Sequence, residues 1–246
     1  MNITFKQQAV NITNCDREPI HIIEQAQQHG VILIIDYKKN KVLQASNNCS
    51  TLLNLSVEQI VGKPLENVFP KAISETIFNK IENQQSLYPH ELSFKNQKFL
   101  AIPHLTENQE LIIDIEPFGE TINPILFQEE LTKILKEIKD TDPVKVMCHQ
   151  AVSLIKDLYD YDRVMMYRFD EEWNGEVIAE VKEEKLESWL GLHYPATDIP
   201  KPARQIFLKQ GVRMISDVNY QPAPLLPELN KKINLSKSEL HGVSPI

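Results

Sequence analysis

The chain has 246 residues, 42% of them hydrophobic, which is enough to build two domains with separate cores. Its formal net charge of -8 disfavours nucleic acid and anionic membrane surfaces as main partners. No apolar run is long enough to cross a membrane, and the polar N-terminal residues are not typical of a signal peptide. Cys15, Cys49 and Cys148 are far apart and form no CxxC motif, so we expect free thiols in a reducing cytoplasm and no metal site.

The first residues, 1–19, are predicted to form an irregular tail. Pro19 has no N–H to donate and restricts Glu18 to an extended conformation, so this stretch suits neither a helix nor a central strand. Cys15 lies in the tail among polar and charged neighbours. A cysteine in this setting is usually a free thiol, and the charges beside it act in opposite directions on thiolate formation.

The segment 20–118 has the element order of a small α+β domain. The run VILIIDYKKNKVLQAS at 31–46 predicts two strands joined by a turn. Three isoleucines then recur every four residues and predict a helix over about 71–84. Residues 90–118 alternate polar and apolar side chains, which predicts three antiparallel strands. Strands, short helices and more strands in this order indicate one sensory-type domain.

Residues 119–125 are predicted to link this domain to a second one over 126–246. The second domain begins with two amphipathic helices, at about 126–139 and 143–159. The apolar residues of the second helix that are predicted to face a core are Val144, Met147, Cys148, Ala151, Val152 and Ile155.

A small sheet is predicted to follow these helices. Residues 162–170 and 175–183 are joined around Asn174-Gly175 and predict a hairpin. GVRMISDV at 211–218 predicts a third strand, and the Pro- and Asn-rich residues 219–231 predict a long loop. Three strands packed on two helices leave apolar area uncovered, so we expect this second domain to be incomplete.

The stretch HYPATDIPKPARQIF at 193–207 has two interpretations. In the first, Asp198 is the N-cap of a helix that has Pro200 in its first turn, runs through Lys209 and ends at Gly211. In the second, Asp198 directs its carboxylate or its carbonyl at a bound ligand. The motif does not distinguish them, and both stay open.

Two further positions are also ambiguous. Arg213, in the predicted third strand, either lies on an exposed edge or points inward to hold a ligand carboxylate with its guanidinium group. Met165 and Tyr167 share one face of the hairpin with Arg163, and such residues belong more often to a core than to a pocket. The sequence contains no GxSxG, P-loop, GxGxxG or paired Cys/His signature, so we expect no enzyme.

Three stretches together resemble one family. NCDREPIHI and the following QQHGVILIID resemble the N-terminal signature of bacteriophytochromes. YDRVMMYRFDEEWNGEVIAE resembles the start of their chromophore-binding GAF domain, and LGLHYPATDIPKPARQIFLKQGVRMISDV resembles the segment written PASDIP with the helix and strand after it. The resemblance covers nearly the whole chain and implies an α+β fold: a PAS domain followed by the first part of a GAF domain, each an antiparallel sheet with helices.

The resemblance implies a role for Cys15. In bacteriophytochromes a cysteine at this place forms a thioether with biliverdin, an open-chain tetrapyrrole. The tail of such proteins passes through a loop of the GAF domain and makes a figure-of-eight knot. Residues 218–240 match that loop by position, so a knot is expected here as well.

The resemblance also assigns residues to the pigment pocket. They are Met165, Tyr167, Tyr194, Asp198, Ile199, Pro200, Arg213, His241 and Ser244. The backbone carbonyl of Asp198 is expected to accept the pyrrole N–H groups, while its side chain and the two tyrosines lie near the rotating D-ring. Arg213 and Ser244 are expected to bind propionates, and Ile199 and Pro200 to pack on the face of the pigment.

The family implies a red/far-red light sensor that isomerises the bilin D-ring. The partners it implies are the bilin, a second copy of the chain, and downstream PHY and output domains or a response regulator. An alternative is a PAS–GAF regulatory or dimerisation module that has lost its pigment, because His241 stands where the family often has a second propionate-binding arginine. A third interpretation is the input part of a sensor histidine kinase.

Overall fold

The computed structural model describes residues 25–94, 97–106, 110–119, 124–137, 143–209, 213–228 and 242–243. The chain divides into two compact units, one formed by Met1–Gly119 with Lys201–Ile246 and the other by Glu120–Pro200. Compactness alone does not define evolutionary domains, so the bounds expected from the sequence stay predictions. In the part of the chain that is described, no helix is both long and apolar enough to span a bilayer.

Every strand pair among the described residues is antiparallel, as expected for the predicted α+β class. The strands are β1 Gln25–Ala26, β2 Val31–Asp36, β3 Lys41–Ser46, β4 His90–Phe94, β5 Gln97–Leu105, β6 Leu111–Pro117, β7 Arg163–Phe169, β8 Gly175–Lys182, β9 His193–Tyr194, β10 Ala223–Leu226 and β11 Gly242–Val243. The α-helices are α1 Cys49–Leu52, α2 Val57–Ile60, α3 Lys71–Glu82, α4 Pro124–Glu137, α5 Val144–Tyr159 and α6 Lys201–Lys209, with 3-10 helices at Leu65–Asn67 and Ala196–Asp198.

The first unit is built around β2. Its sheet has the strand order β11-β1-β10-β3-β2-β6-β5-β4, so β2 has a hydrogen-bonded neighbour on each side. Leu33 and Ile35 join the main core with residues of α3, whereas Ile32 and Ile34 join a second apolar cluster. Because both faces of β2 are covered, its apolar residues form a continuous run and do not alternate with polar ones.

The predicted elements of the first unit are confirmed. The two strands of the run at 31–46 are β2 and β3, the three strands predicted over 90–118 are β4, β5 and β6, and the isoleucine helix is α3. Ile77 and Ile81 are buried and Ile73 packs against the same core. The four-residue spacing therefore marked the buried face of that helix correctly.

Strand β10 lies inside the stretch that was predicted to be a long loop over 219–231. It pairs with β3 on one side and β1 on the other. The backbone N–H of Asn47 also donates to the carbonyl of Pro224 at 2.9 Å, and Gln44 donates to the carbonyl of Pro227 at 2.7 Å. The loop prediction is wrong here because β3 offers an open edge whose backbone groups need partners, and a distant segment supplies them.

The second unit packs α5 on the sheet β7-β8-β9. The predicted hairpin is β7 with β8, and Cys148 and Val152 of α5 form a buried cluster with Ala179. Two members of the predicted inward face are wrong, because Val144 is 72% exposed and Ile155 is 43% exposed. Both side chains lie outside the buried cluster that α5 makes with the sheet, so the apolar face of the helix is wider than its buried face.

The helix predicted from Asp198 starts later. Asp198 ends the 3-10 helix Ala196–Asp198, and α6 begins at Lys201. Ile199 has φ -123° and ψ 92°, the extended conformation that a following proline imposes. The N-cap assignment of Asp198 is therefore wrong, and Pro200 prevents α6 from starting earlier.

The strand predicted at 211–218 is also wrong where the chain is described. Residues 213–215 are in no strand, and the third strand of the second sheet is β9. The backbone near Arg213 is bound by a side chain. Gln27 donates to the carbonyl of Met214 at 2.7 Å and accepts the N–H of Ser216 at 3.1 Å. One buried glutamine thus supplies the hydrogen bonds that a neighbouring strand would have supplied.

We expect Asn40→Ala to destabilise the first unit more than Asn40→Gly. Asn40 has φ +46° and accepts the N–H of buried Leu65 at 3.0 Å. Both changes leave that N–H without its acceptor, at a cost of about 1–3 kcal/mol, but only alanine adds left-handed strain of about 1 kcal/mol. Urea unfolding followed by circular dichroism measures both. Equal losses for the two variants would contradict the strain argument.

Candidate functional site

The face of β7 that points away from α5 carries the predicted site residues. Val164 and Met166 pack against the cluster that α5 makes with the sheet. Residues alternate across a strand, so Met165 and Tyr167 lie on the opposite face. Met165 is 41% exposed and Tyr167 is half-buried, which leaves an apolar and aromatic surface open on that side.

Tyr167 rests on a glycine. In the sheet register Gly175 stands opposite Phe169 on one side and opposite Tyr194 on the other. A β carbon built at Gly175 would overlap the Tyr167 ring, so the missing side chain is what lets the ring lie there. The sequence analysis noted Gly175 only as a turn residue. Its role was missed because the close approach comes from a neighbouring strand.

Tyr167 belongs to an aromatic group. Its ring centroid is 6.0 Å from that of Tyr194 and 5.2 Å from that of Phe169, the latter edge to face. Such pairs stabilise each other by about 0.5–1.5 kcal/mol beyond the area they bury. Tyr167 and Tyr194, which the sequence analysis assigned to one pocket, are therefore brought together by the pairing of β8 with β9.

The charge of Asp198 acts on the phenol of Tyr167. Burial raises the pKa of Tyr167, and the charge of Asp198 and the neighbouring Tyr194 raise it further. A tyrosine phenol is already protonated at neutral pH, so the hydroxyl of Tyr167 can donate a hydrogen bond. Asp198 itself is exposed, while Ile199 and Pro200 are half-buried. An aromatic wall with a carboxylate beside it suits a flat ligand that carries positive charge and N–H donors.

Glu180 fixes the segment that leads to β9. Its carboxylate accepts the hydroxyl of Ser188 at 2.7 Å and the backbone N–H groups of Trp189 and Leu190 at 3.0 and 3.2 Å. The side chain is 3% exposed and forms an ion pair with Arg163 at 3.2 Å. Burial raises the pKa of Glu180, but the hydrogen bonds and the Arg163 charge outweigh it, so the net pKa lies below its ordinary value.

Arg163 has a structural role. Its guanidinium carbon lies 3.8 Å from the centroid of the Trp189 ring, in addition to the ion pair with Glu180. The sequence analysis placed Arg163 on the correct face but missed Glu180 and Trp189. Alternation along GEVIAEVK alone would put Glu180 on the same face as Glu176, but a register shift between Met166 and Tyr167 pairs Glu180 with Met165 on the other face. The other partners of Glu180 lie in an irregular loop that carries no periodic signal.

The remaining predicted site residues are in the other compact unit or outside the described residues. Arg213 is exposed and belongs to the unit that contains Lys201–Ile246. Burial raises the pKa of Tyr220, and the Arg213 charge opposes that rise. Cys15, His241 and Ser244 fall outside the described residues. Among the described side chains no cluster suits a metal ion.

Comparison with known proteins gives the family. Residues 15–118 match the PAS fold family. The chain is 33% identical over 99% of its length to cyanobacterial phytochrome A of Nostoc sp., and 34% identical over 94% of its length to a bacteriophytochrome of Xanthomonas campestris. It is also 33% identical to the solved chromophore-binding domain of a Stigmatella aurantiaca bacteriophytochrome, with a TM-score of 0.83, covering 94% of this chain and 79% of that one. The chain belongs to the phytochrome family.

The family prediction from three sequence stretches is thereby confirmed. This phytochrome chain spans about a third of the length of the curated relatives it matches, 34% of the Nostoc protein and 38% of the Xanthomonas protein. The predicted fold of a PAS domain with GAF residues is confirmed as well, whereas the knot expected from the resemblance involves the tail 1–19, which is outside the described residues.

We expect Gly175→Ala to displace the Tyr167 ring. The added methyl group overlaps the ring, and overpacking of this kind costs about 1–3 kcal/mol. Gly119→Ala is the matched control, because a β carbon there has no neighbour within 4 Å. Thermal unfolding and near-ultraviolet circular dichroism of the tyrosines measure the two effects. A Gly175→Ala protein with an unchanged melting temperature and tyrosine signal would disprove the close packing.

We expect Glu180→Gln to lower stability near neutral pH and to matter little in acid. A carboxyl group whose folded-state pKa is lowered contributes stability above its unfolded pKa and loses it as the pH falls through the folded value. The difference between wild type and variant should therefore be present at pH 7 and shrink below about pH 4. Denaturant unfolding between pH 3 and 7 measures it.

The control for this experiment is Glu176→Gln, since Glu176 lies on β8 like Glu180 but forms an exposed ion pair with Arg168 of β7. Exposed ion pairs contribute little, so this change should have a much smaller effect at pH 7. A stability difference for Glu180→Gln that grows as the pH falls would reverse the sign and contradict the assignment.

Proposed function

We propose that this chain binds a linear tetrapyrrole and acts as a light-sensing module. The observation that carries the proposal is that Tyr167, Tyr194 and Asp198 form one group in a chain that matches a bacteriophytochrome chromophore-binding domain over 94% of its length. Each residue alone has an ordinary structural explanation. Their grouping on an open sheet face favours a ligand site.

The residues of the second unit fit such a pigment. A protonated bilin is flat and apolar, carries a delocalised positive charge, and has N–H groups that need acceptors. The ring of Tyr167 and the 41% exposed side chain of Met165 offer a flat apolar surface. The exposed carboxylate of Asp198 offers an acceptor and a negative charge, and Ile199 and Pro200 follow it directly in the chain.

In this proposal the pigment is biliverdin, held through a thioether to Cys15. Arg213 and Ser244 bind its propionates, with His241 as a shorter substitute for a second arginine. These assignments come from the family resemblance. The exposed guanidinium of Arg213 is free of a carboxylate ion pair among the described residues, which supports a role towards an anionic ligand.

When bound, the bilin would supply red-light absorption and D-ring isomerisation. The protein would orient the pigment and control its protons. The hydroxyl of Tyr167 can donate a hydrogen bond, because a tyrosine phenol is protonated at neutral pH. Asp198 can accept one because its carboxylate is exposed, and the paired tyrosine rings limit the space beside it.

The signal would pass to further domains. Because the chain spans about a third of its curated relatives, a PHY domain and an output domain or response regulator are the partners we propose for the complete receptor. One form of such a receptor is a sensor histidine kinase, with this chain as its input part. We also propose that the chain pairs with a second copy of itself and that the receptor is cytoplasmic.

The test is covalent attachment of biliverdin. The purified chain is mixed with biliverdin, denatured, separated on a gel and examined for zinc-induced bilin fluorescence. We expect a fluorescent band that disappears in Cys15→Ala and persists in Cys148→Ala, because Cys148 is buried on α5. The matched cysteine variants separate the chemistry of Cys15 from a general loss of thiols.

A band that persists in Cys15→Ala would disprove the attachment site. No band in wild type, together with no red absorption band in the native mixture, would disprove pigment binding by this chain. That result would favour the alternative of a PAS–GAF regulatory or dimerisation module without pigment.

A further inference from the structure

The turn between β7 and β8 is held by one carboxylate. Asp170 Oδ1 accepts the backbone N–H groups of Glu172 at 2.9 Å and Asn174 at 2.8 Å. Asp170 Oδ2 accepts the side-chain Nδ2–H of Asn174 at 3.1 Å. This last bond fixes the orientation of the Asn174 amide, so that its Oδ1 points away from Asp170.

The freed oxygen of that amide binds a different part of the chain. Asn174 Oδ1 accepts the backbone N–H of Ala196 at 3.2 Å, across 22 residues of sequence. Ala196 is the first residue of the 3-10 helix Ala196–Asp198. Its N–H is one of the terminal donors that a helix leaves without an internal acceptor. The hairpin turn therefore caps the short helix that ends at Asp198.

We propose that Asn174 is a positioning residue that sets the place of Asp198 beside Tyr167. It acts by joining the β7–β8 turn to the start of the 3-10 helix. The inference rests on the proposed function, because it concerns how the same Asp198 is presented to a pigment. Nothing in the sequence motif at 193–207 indicates this link, since Asn174 lies in the preceding hairpin.

Both ends of the Asn174 amide are used, and this explains why asparagine is needed. Alanine would lose the bond to Asp170 and the bond to Ala196. Aspartate would keep an acceptor for Ala196 but would place a carboxylate against Asp170. The hydrogen bond from Asn174 lowers the pKa of Asp170, with smaller contributions from the backbone N–H groups of the turn, so Asp170 is ionised and the two carboxylates would repel.

Exchanging the two side chains gives a matched rescue. In the double variant Asp170→Asn with Asn174→Asp, the new amide at 170 can accept the turn N–H groups through its oxygen and donate through its nitrogen to the carboxylate at 174. That carboxylate can still accept the N–H of Ala196. The whole hydrogen-bond chain is kept, and the negative charge moves from residue 170 to residue 174.

The experiment measures hydrogen exchange of the Ala196 amide by NMR in the 246-residue chain, without pigment. Loss of one hydrogen bond should accelerate this exchange roughly fivefold in Asn174→Ala. Asn174→Asp should accelerate it as well, and the double variant should restore the protection of wild type. The amide of Gly191, which donates to Val177 at 2.9 Å, is the internal control and should not change.

Absorption of the biliverdin-loaded variants is the second readout. The band should shift or broaden in Asn174→Asp and return in the double variant. Three results would each overturn the inference. The first is an Ala196 amide that exchanges no faster in Asn174→Ala than in wild type, and the second is an equal acceleration at Ala196 and Gly191. The third is a double variant in which the Ala196 amide exchanges as fast as in Asn174→Asp. If wild type binds no biliverdin, the proposed function fails, and the exchange of Ala196 still decides whether Asn174 holds the helix.

Discussion

The buried carboxylate of Glu180 is the constraint on which the candidate site depends. At one end of β8 it accepts hydrogen bonds from a hydroxyl and two backbone N–H groups, and it forms an ion pair with Arg163. These contacts hold an irregular loop in place directly before β9. A buried carboxylate is tolerated only when such partners replace water, so the loop and Glu180 stabilise each other.

Beyond Glu180, a few further contacts bring the residues of the site together. The backbone of Gly191 and Leu192 bonds to Val177, β9 then pairs with β8, and Tyr194 reaches the ring of Tyr167. The absence of a side chain at Gly175 leaves the space for that ring. The site is thus made from one strand pair and the loop that returns to it.

The sequence predicted most of the regular structure. The isoleucines of α3, the continuous run of β2 and the β7–β8 hairpin all carry periodic or turn signals that act over a few residues. The family and the predicted binding residues came from three short stretches read together. The errors have one cause in common. Each missed feature depends on a contact that has no periodic signal. The start of α6 depends on Pro200, and the irregular backbone at Arg213 depends on the distant Gln27. The strand β10 forms because β3 offers an open edge for pairing.

The sequence by itself determined the fold class and the family, because these follow from local periodicity and from motifs that keep their order along the chain. The residues that would bind a bilin stay a prediction from the same motifs. Only the tertiary structure decided that Gly175 admits the Tyr167 ring, that Glu180 anchors the loop before β9, and that Asn174 caps the helix ending at Asp198. These are hydrogen bonds and close contacts between residues that are distant in sequence. No periodic pattern records them, because each is fixed by a single pair of atoms that the fold brings together.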